Sequence, residues 1–224
     1  MVIGAGVSFM FLMPFGFTIA PAADSGVFAP GALPLWAALL SWIVLGERIG
    51  PVRVFGFAMI AAGILAVGGL DAITGAQGGV WVGYVCYSGA SLMFAFYAVA
   101  QRGSGLTAIE ATAVISAWSL VIAGIVALIF GVDYSALPAA QLLWAGAAQF
   151  FSGVVAVATF TYGIIKLGPS RGSAFIALTP AVVAAAAEIF LGQPATPLTW
   201  VGVGVVSVGV LIASGIFERR RAIA

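Results

Sequence analysis

The sequence predicts an all-α polytopic membrane protein of eight transmembrane helices, from its composition, the lengths of its uncharged apolar runs and the one-sided placement of its cations. Of 224 residues, 63% are hydrophobic and 7% charged, and the mean hydropathy is +1.21, far outside the range of soluble domains. Eight Lys and Arg and seven Asp and Glu cannot interrupt such a chain often, so long uncharged stretches must exist. A stretch of about 18 or more apolar residues reads as a membrane span. The 30 glycines agree, since Gly is commoner in membrane helices than in soluble ones.

Cut at charges, Pro and Gly, the apolar segments are Ile3 to Ala20, Val27 to Leu45, Val52 to Gly69, Val80 to Ala100, Thr107 to Phe130, Ala139 to Ile165, Gly172 to Leu191 and Leu198 to Phe217. Each is long enough for a hydrocarbon core about 30 Å thick at about 1.5 Å per residue. The first has neither a basic region ahead of it nor a small-residue cleavage site in the usual position, and reads as a retained span.

The cations confirm the count. Arg48 and Arg53 lie between the second and third segments, Arg102 between the fourth and fifth, Lys166 and Arg171 between the sixth and seventh, and Arg219, Arg220 and Arg221 after the eighth. All therefore fall on one side, while the opposite loops around Asp24, Asp71, Asp133 and Gln193 carry none. Short cytoplasmic loops are enriched in Lys and Arg, so both termini are expected in the cytoplasm.

Several function classes drop out. A net charge of +1 without a basic face argues against nucleic acid. The chain has no histidine, which removes His-based metal sites and every Ser-His catalytic arrangement. The lone Cys86 lies in an apolar run and reads as a buried inert thiol. Gly168-Pro-Ser-Arg-Gly172 fits a hydrolase elbow only on paper, because that elbow needs a preceding strand and a histidine. The expectation is no enzyme, no metal and no cofactor, with lipid and a small solute as partners and a homodimer left open.

An internal repeat gives the chain its organisation. Shifted by 146 residues, 29–69 aligns with 175–215 without a gap, and the matches include Pro34 with Pro180, Gly46 with Gly192, Pro51 with Pro197, Gly56 with Gly202 and Gly63 with Gly209. The second and seventh segments cross in opposite directions, so the repeat is inverted. Secondary transporters are commonly built this way, with alternating access around a site near the midplane. Pro34 and Pro180 are expected to kink their spans near the middle. The carbonyl so freed, that of Ile176 in the second copy, either lines a polar cavity or is satisfied by packing.

The stretches LPLWAALLSWIVLGERIGPVRVFG (33–56) and KLGPSRGSAFIALTPAVVAAAAEIFLG (166–192) resemble the Pro-led span, "LGE" ending and glycine-bearing following span of the EamA-domain transporters of the drug/metabolite transporter superfamily. That resemblance implies two inverted five-helix halves exporting small polar metabolites such as amino acids across the inner (plasma) membrane of the cell. On it, residues 1–69 form an incomplete first repeat of three helices, 70–79 an outer linker, 80–217 a complete second repeat and 218–224 a basic cytoplasmic tail. The first two helices of the family's ten would be absent, through a misplaced start site or through a real truncation that leaves a non-transporting remnant or partner subunit. A second departure is Gln193, which stands where the first copy has Glu47.

Within the spans, the ionisable candidates are Glu188, about one turn from the outer end of the seventh, and Glu110, about one turn into the fifth from the cytoplasmic side. Either is also explained as a hydrated interfacial carboxylate; as a functional group, Glu188 would bind a substrate amine or carry a coupling proton. Tyr84, Ser91 and Tyr97 on the fourth segment, and Gln149 and Tyr162 on the sixth, complete the candidate substrate-binding set, although helix packing explains most such groups equally well.

Overall fold

The computed structural model describes residues 8–74, 79–105, 108–131, 138–151, 155, 159 and 175–215. They form eight α-helices and no strand: α1 (Ser8–Ile19), α2 (Leu33–Leu45), α3 (Pro51–Thr74), α4 (Val80–Ser104), α5 (Ala108–Phe130), α6 (Ala139–Phe150), α7 (Thr179–Leu191) and α8 (Pro197–Ala213). Each lies within one predicted segment or overlaps it closely. Four stretches are long and apolar enough to cross a membrane, at 22–45, 51–69, 80–100 and 113–130. Residues 175–191 and 197–213 form shorter apolar helices.

The second span is not one continuous α-helix. It opens with a 3-10 turn (Ala22–Asp24), continues through a π turn (Val27–Gly31) and becomes α2 only at Leu33. Proline explains the break. Pro34 lacks the N–H that an α-helix would return to the carbonyl of Pro30, and Pro30 itself lies in the π turn. In the second copy a 3-10 turn (Phe175–Leu178) precedes α7, and Pro180 takes the same second helical position. Each proline thus stands where one helical geometry gives way to another, a position that suits its fixed φ.

The two copies also end alike. α2 stops at Gly46 (φ 66°) and α7 at Gly192 (φ 63°), both left-handed caps that only glycine adopts without strain. In each, the following N–H reaches back into the last turn, Glu47 to the Ser41 carbonyl at 3.4 Å and Gln193 to the Ala187 carbonyl at 3.3 Å. Pro51 and Pro197 then open α3 and α8.

The core is the seam between α3 and α8, flanked by α4 packed on α1 and α2. Val27, Ile60, Tyr87, Pro180 and Val206 are its largest fully buried side chains. Glycines let the two helix backbones touch. A Cβ on Gly56 would sit 2.6 Å from the Ala213 nitrogen and 2.8 Å from the Gly209 oxygen, and one on Gly63 would sit 3.1 Å from the Gly202 oxygen. The pairing is crossed: Gly56 meets the equivalent of Gly63, and Gly63 meets the equivalent of Gly56. By contrast α5 and α6 make no extensive contact with any other described element, and no part of the 113–130 window is buried.

Candidate functional site

Asp24 is the most deeply buried acid among the described residues, 4% exposed. The sequence reading puts it in an outer loop and leaves Glu188 and Glu110 as the ionisable groups within spans; the structure corrects this. Residues 22–24 turn inward and lie against α7 and the start of α8. The hydroxyls of Tyr84 on α4 and Thr199 on α8 donate to the two carboxylate oxygens, at 2.9 Å to Oδ2 and 2.7 Å to Oδ1. A buried carboxylate needs such partners, because desolvation otherwise costs several kcal/mol, on the order of 2–7 even for an uncharged polar group.

The surrounding groups fix the turn. Gln193 Oε1 accepts the Ala22 N–H at 3.0 Å, Ser25 Oγ donates to the Ala22 carbonyl at 2.7 Å, and Tyr87 Oη donates to the Ala20 carbonyl at 3.1 Å. Tyr84 also stacks on Phe28, with centroids 4.4 Å apart and planes 4° from parallel. Thr196 caps α8: its Oγ1 accepts the Thr199 N–H at 3.1 Å and lies 2.9 Å from Thr199 Oγ1. Asp24 therefore ties the first half of the chain to both α4 and α8.

At the other end of α8 a cavity of about 220 Å³ opens between α2, α3, α8 and the turn before α7. Pro34, Ser41, Glu47, Arg48, Arg53, Ile176 and Ser214 are among its lining residues. Arg53 donates its Nε–H to the Ala213 carbonyl at 3.1 Å and holds its guanidinium 5.8 Å from the Phe57 ring centre. The cavity thus combines a carboxylate, two guanidinium groups and two hydroxyls with an apolar wall of Pro34, Ala37, Ala38 and Val210. Thr199 and Ala213 are 14 residues apart on α8, about 21 Å along its axis.

The predicted site residues are not gathered in one place. Tyr84 is bonded to Asp24. Ser91 is buried and donates to the Ala29 carbonyl at 2.7 Å, supporting the π turn. Tyr97 is half-buried, edge-on to Phe94 at 5.5 Å. Glu188 is exposed on α7, Gln149 is in α6 with its side chain outside the described residues, and Tyr162 lies outside them altogether. Cys86 is buried. Sequence reasoning missed Asp24, Thr199 and the Arg53 cavity. One signal was available for the last: Arg53 and Glu47 are the repeat equivalents of Thr199 and Gln193, the two α7–α8 residues that hold the Asp24 turn.

Apolar helices with bare outer faces, a broken span and polar groups buried at helix junctions define a polytopic membrane protein. Residues 81–215, more than half of the chain, match the EamA-like transporter family, and the chain belongs to that family. No curated protein matches the chain.

Proposed function

We propose that the protein carries a small polar solute, such as an amino acid, out of the cell by alternating access between two inverted repeats in the plasma membrane. The observation that carries this reading is the crossed glycine pairing of α3 and α8. Helices that start at equivalent positions of the repeat, Pro51 and Pro197, meet each other through exchanged positions, Gly56 with Gly209 and Gly63 with Gly202, as two units related by a two-fold axis do. Such a seam lets one half rock against the other with little change in packing. The positive-inside pattern supports a cytoplasmic end for the Arg53 cavity, where an outgoing solute would enter, and an outer end for the Asp24 junction. Glu47 and Arg53 supply opposite charges at the cavity wall, suited to a zwitterion.

The test is export from cells loaded with a panel of amino acids. The expected result is faster efflux of a subset from cells expressing the full chain, lost in Arg53→Ala. Equal efflux across the whole panel counts against the reading.

A second reading, a non-transporting chain or a partner subunit, is favoured by one observation. α5 and α6 expose Leu128, Phe130, Leu143 and Trp144 at 74–85% and make no extensive contact with any other described element. Cross-linking from α6 to a co-expressed partner, with no efflux from the chain alone, is its expected signature.

A further inference from the structure

We propose that Asp24 is a proton-binding site, loaded from the surface at Thr196 through the Thr199 hydroxyl, and that its protonation loosens the junction between residues 22–24 and α8. The proposal deepens the transporter reading and rests on it for the link to solute movement.

The hydroxyl directions follow from the contacts. A carboxylate has no proton to give, so Thr199 donates to Oδ1 and Tyr84 to Oδ2. With its own proton committed, Thr199 can only accept from Thr196, which lies 2.9 Å away. A continuous donor chain therefore runs from exposed Thr196, through buried Thr199, to buried Asp24. A proton delivered by water to Thr196 Oγ1 is passed on by exchange. The Thr196 proton moves to Thr199, the Thr199 proton moves to Oδ1, and each hydroxyl ends with one proton. The net change is one proton from water added to Asp24, with the chain direction reversed.

Among the described residues, the groups around the turn come from α4, α8, α7 and the segment after α7. α4 presents Tyr84 and Tyr87, the second bonded to the Ala20 carbonyl, together with the buried Cys86 beside it. α8 presents Thr199 and no ionisable group. α7 carries one, Glu188, which is exposed, and the segment after it brings the neutral Gln193. Asp24 also lies near the N-terminal turn of the 17-residue α8, where orphan N–H groups favour an anion. Protonation turns two charge-assisted hydrogen bonds into neutral ones of roughly half the strength. Those two bonds join the turn to α4 and α8.

The test uses the full chain in lipid nanodiscs and difference infrared spectroscopy across a pH titration. The expected result is a protonated-carboxyl C=O band that disappears in Asp24→Asn and survives in Glu188→Gln. A band that survives Asp24→Asn, or no band assignable to Asp24 at any pH where the protein stays folded, overturns the site. If Asp24→Asn does not fold, Thr199→Val decides: the band must shift in frequency on losing its hydroxyl partner, and an unshifted band overturns the proposal. For the junction, Ala23→Cys in a Cys86→Ala background is labelled with a membrane-impermeant maleimide at fixed pH. Adding Asp24→Asn should raise the rate several-fold, and equal rates overturn the loosening. None of these readouts needs transport. A proton band without solute efflux therefore counts against the transport reading alone, and efflux without the band against this proposal alone.

Discussion

The two ends of the α3–α8 seam solve the same structural problem with different chemistry. At one, Gln193 and Thr199 hold the turn that carries Asp24, all neutral groups around one buried charge. At the other, their repeat equivalents Glu47 and Arg53 are charged and border a cavity of about 220 Å³. Charge is tolerated where a cavity admits water, whereas a sealed junction holds an acid only if donors meet both oxygens. Two copies of one backbone pattern can thus carry different chemistry through a few side chains, while α2 and α7 keep equivalent bounds and the same left-handed glycine cap.

The comparison breaks most severely if the seam itself is disturbed. Gly56→Val and Gly209→Val drive a side chain into the facing backbone, and should cost at least the about 1–3 kcal/mol typical of overpacking. Loss of monodisperse protein, or a large drop in melting temperature in detergent, is the expected readout. Gly204→Ala, with nothing within 4 Å of its Cβ, should leave that temperature unchanged or raised.

Next comes Asp24→Ala, which removes two charge-assisted hydrogen bonds, from Tyr84 and Thr199, at about 1.5–3 kcal/mol each. Arg53→Ala gives up one charge-assisted hydrogen bond and the contact with the Phe57 ring beside an open cavity, and should cost about 1–2 kcal/mol while removing efflux. Equal destabilisation by the two would abolish the proposed contrast between sealed and open ends. Smaller still, Gln193→Ala should cost about 1 kcal/mol through the Ala22 N–H. Gln193→Glu keeps the acceptor and should fall within about 0.5 kcal/mol of the parent by the same thermal assay.

Most of the architecture was readable in advance because the bilayer makes it so. A chain this poor in charge has to place its apolar runs as spans, and Pro34, Gly46, Pro51, Gly56 and Gly63 recur 146 residues on because each does a backbone job that a neutral apolar residue cannot do. Asp24 was not readable. It sits between Pro21 and Gly26, a neighbourhood that signals a turn and hence a water-exposed loop. Its burial depends on Tyr84 and Thr199, which are 60 and 175 residues away, and no local pattern reports such distant partners. The π turn is equally hidden, since Pro34 predicts an interruption without specifying its geometry. Ser91 was read for a substrate role, and its contact with the Ala29 carbonyl supports that interruption.

The crossed glycines have an evolutionary corollary. Because Gly56 meets the counterpart of Gly63, and Gly63 the counterpart of Gly56, a polypeptide bearing a single copy of this unit would present a surface complementary to its own duplicate. Gene duplication and fusion would then have inherited a working seam from the start. Later drift could spare the glycines and spend itself on positions such as Arg53 and Thr199, where the two descendants now face different surroundings.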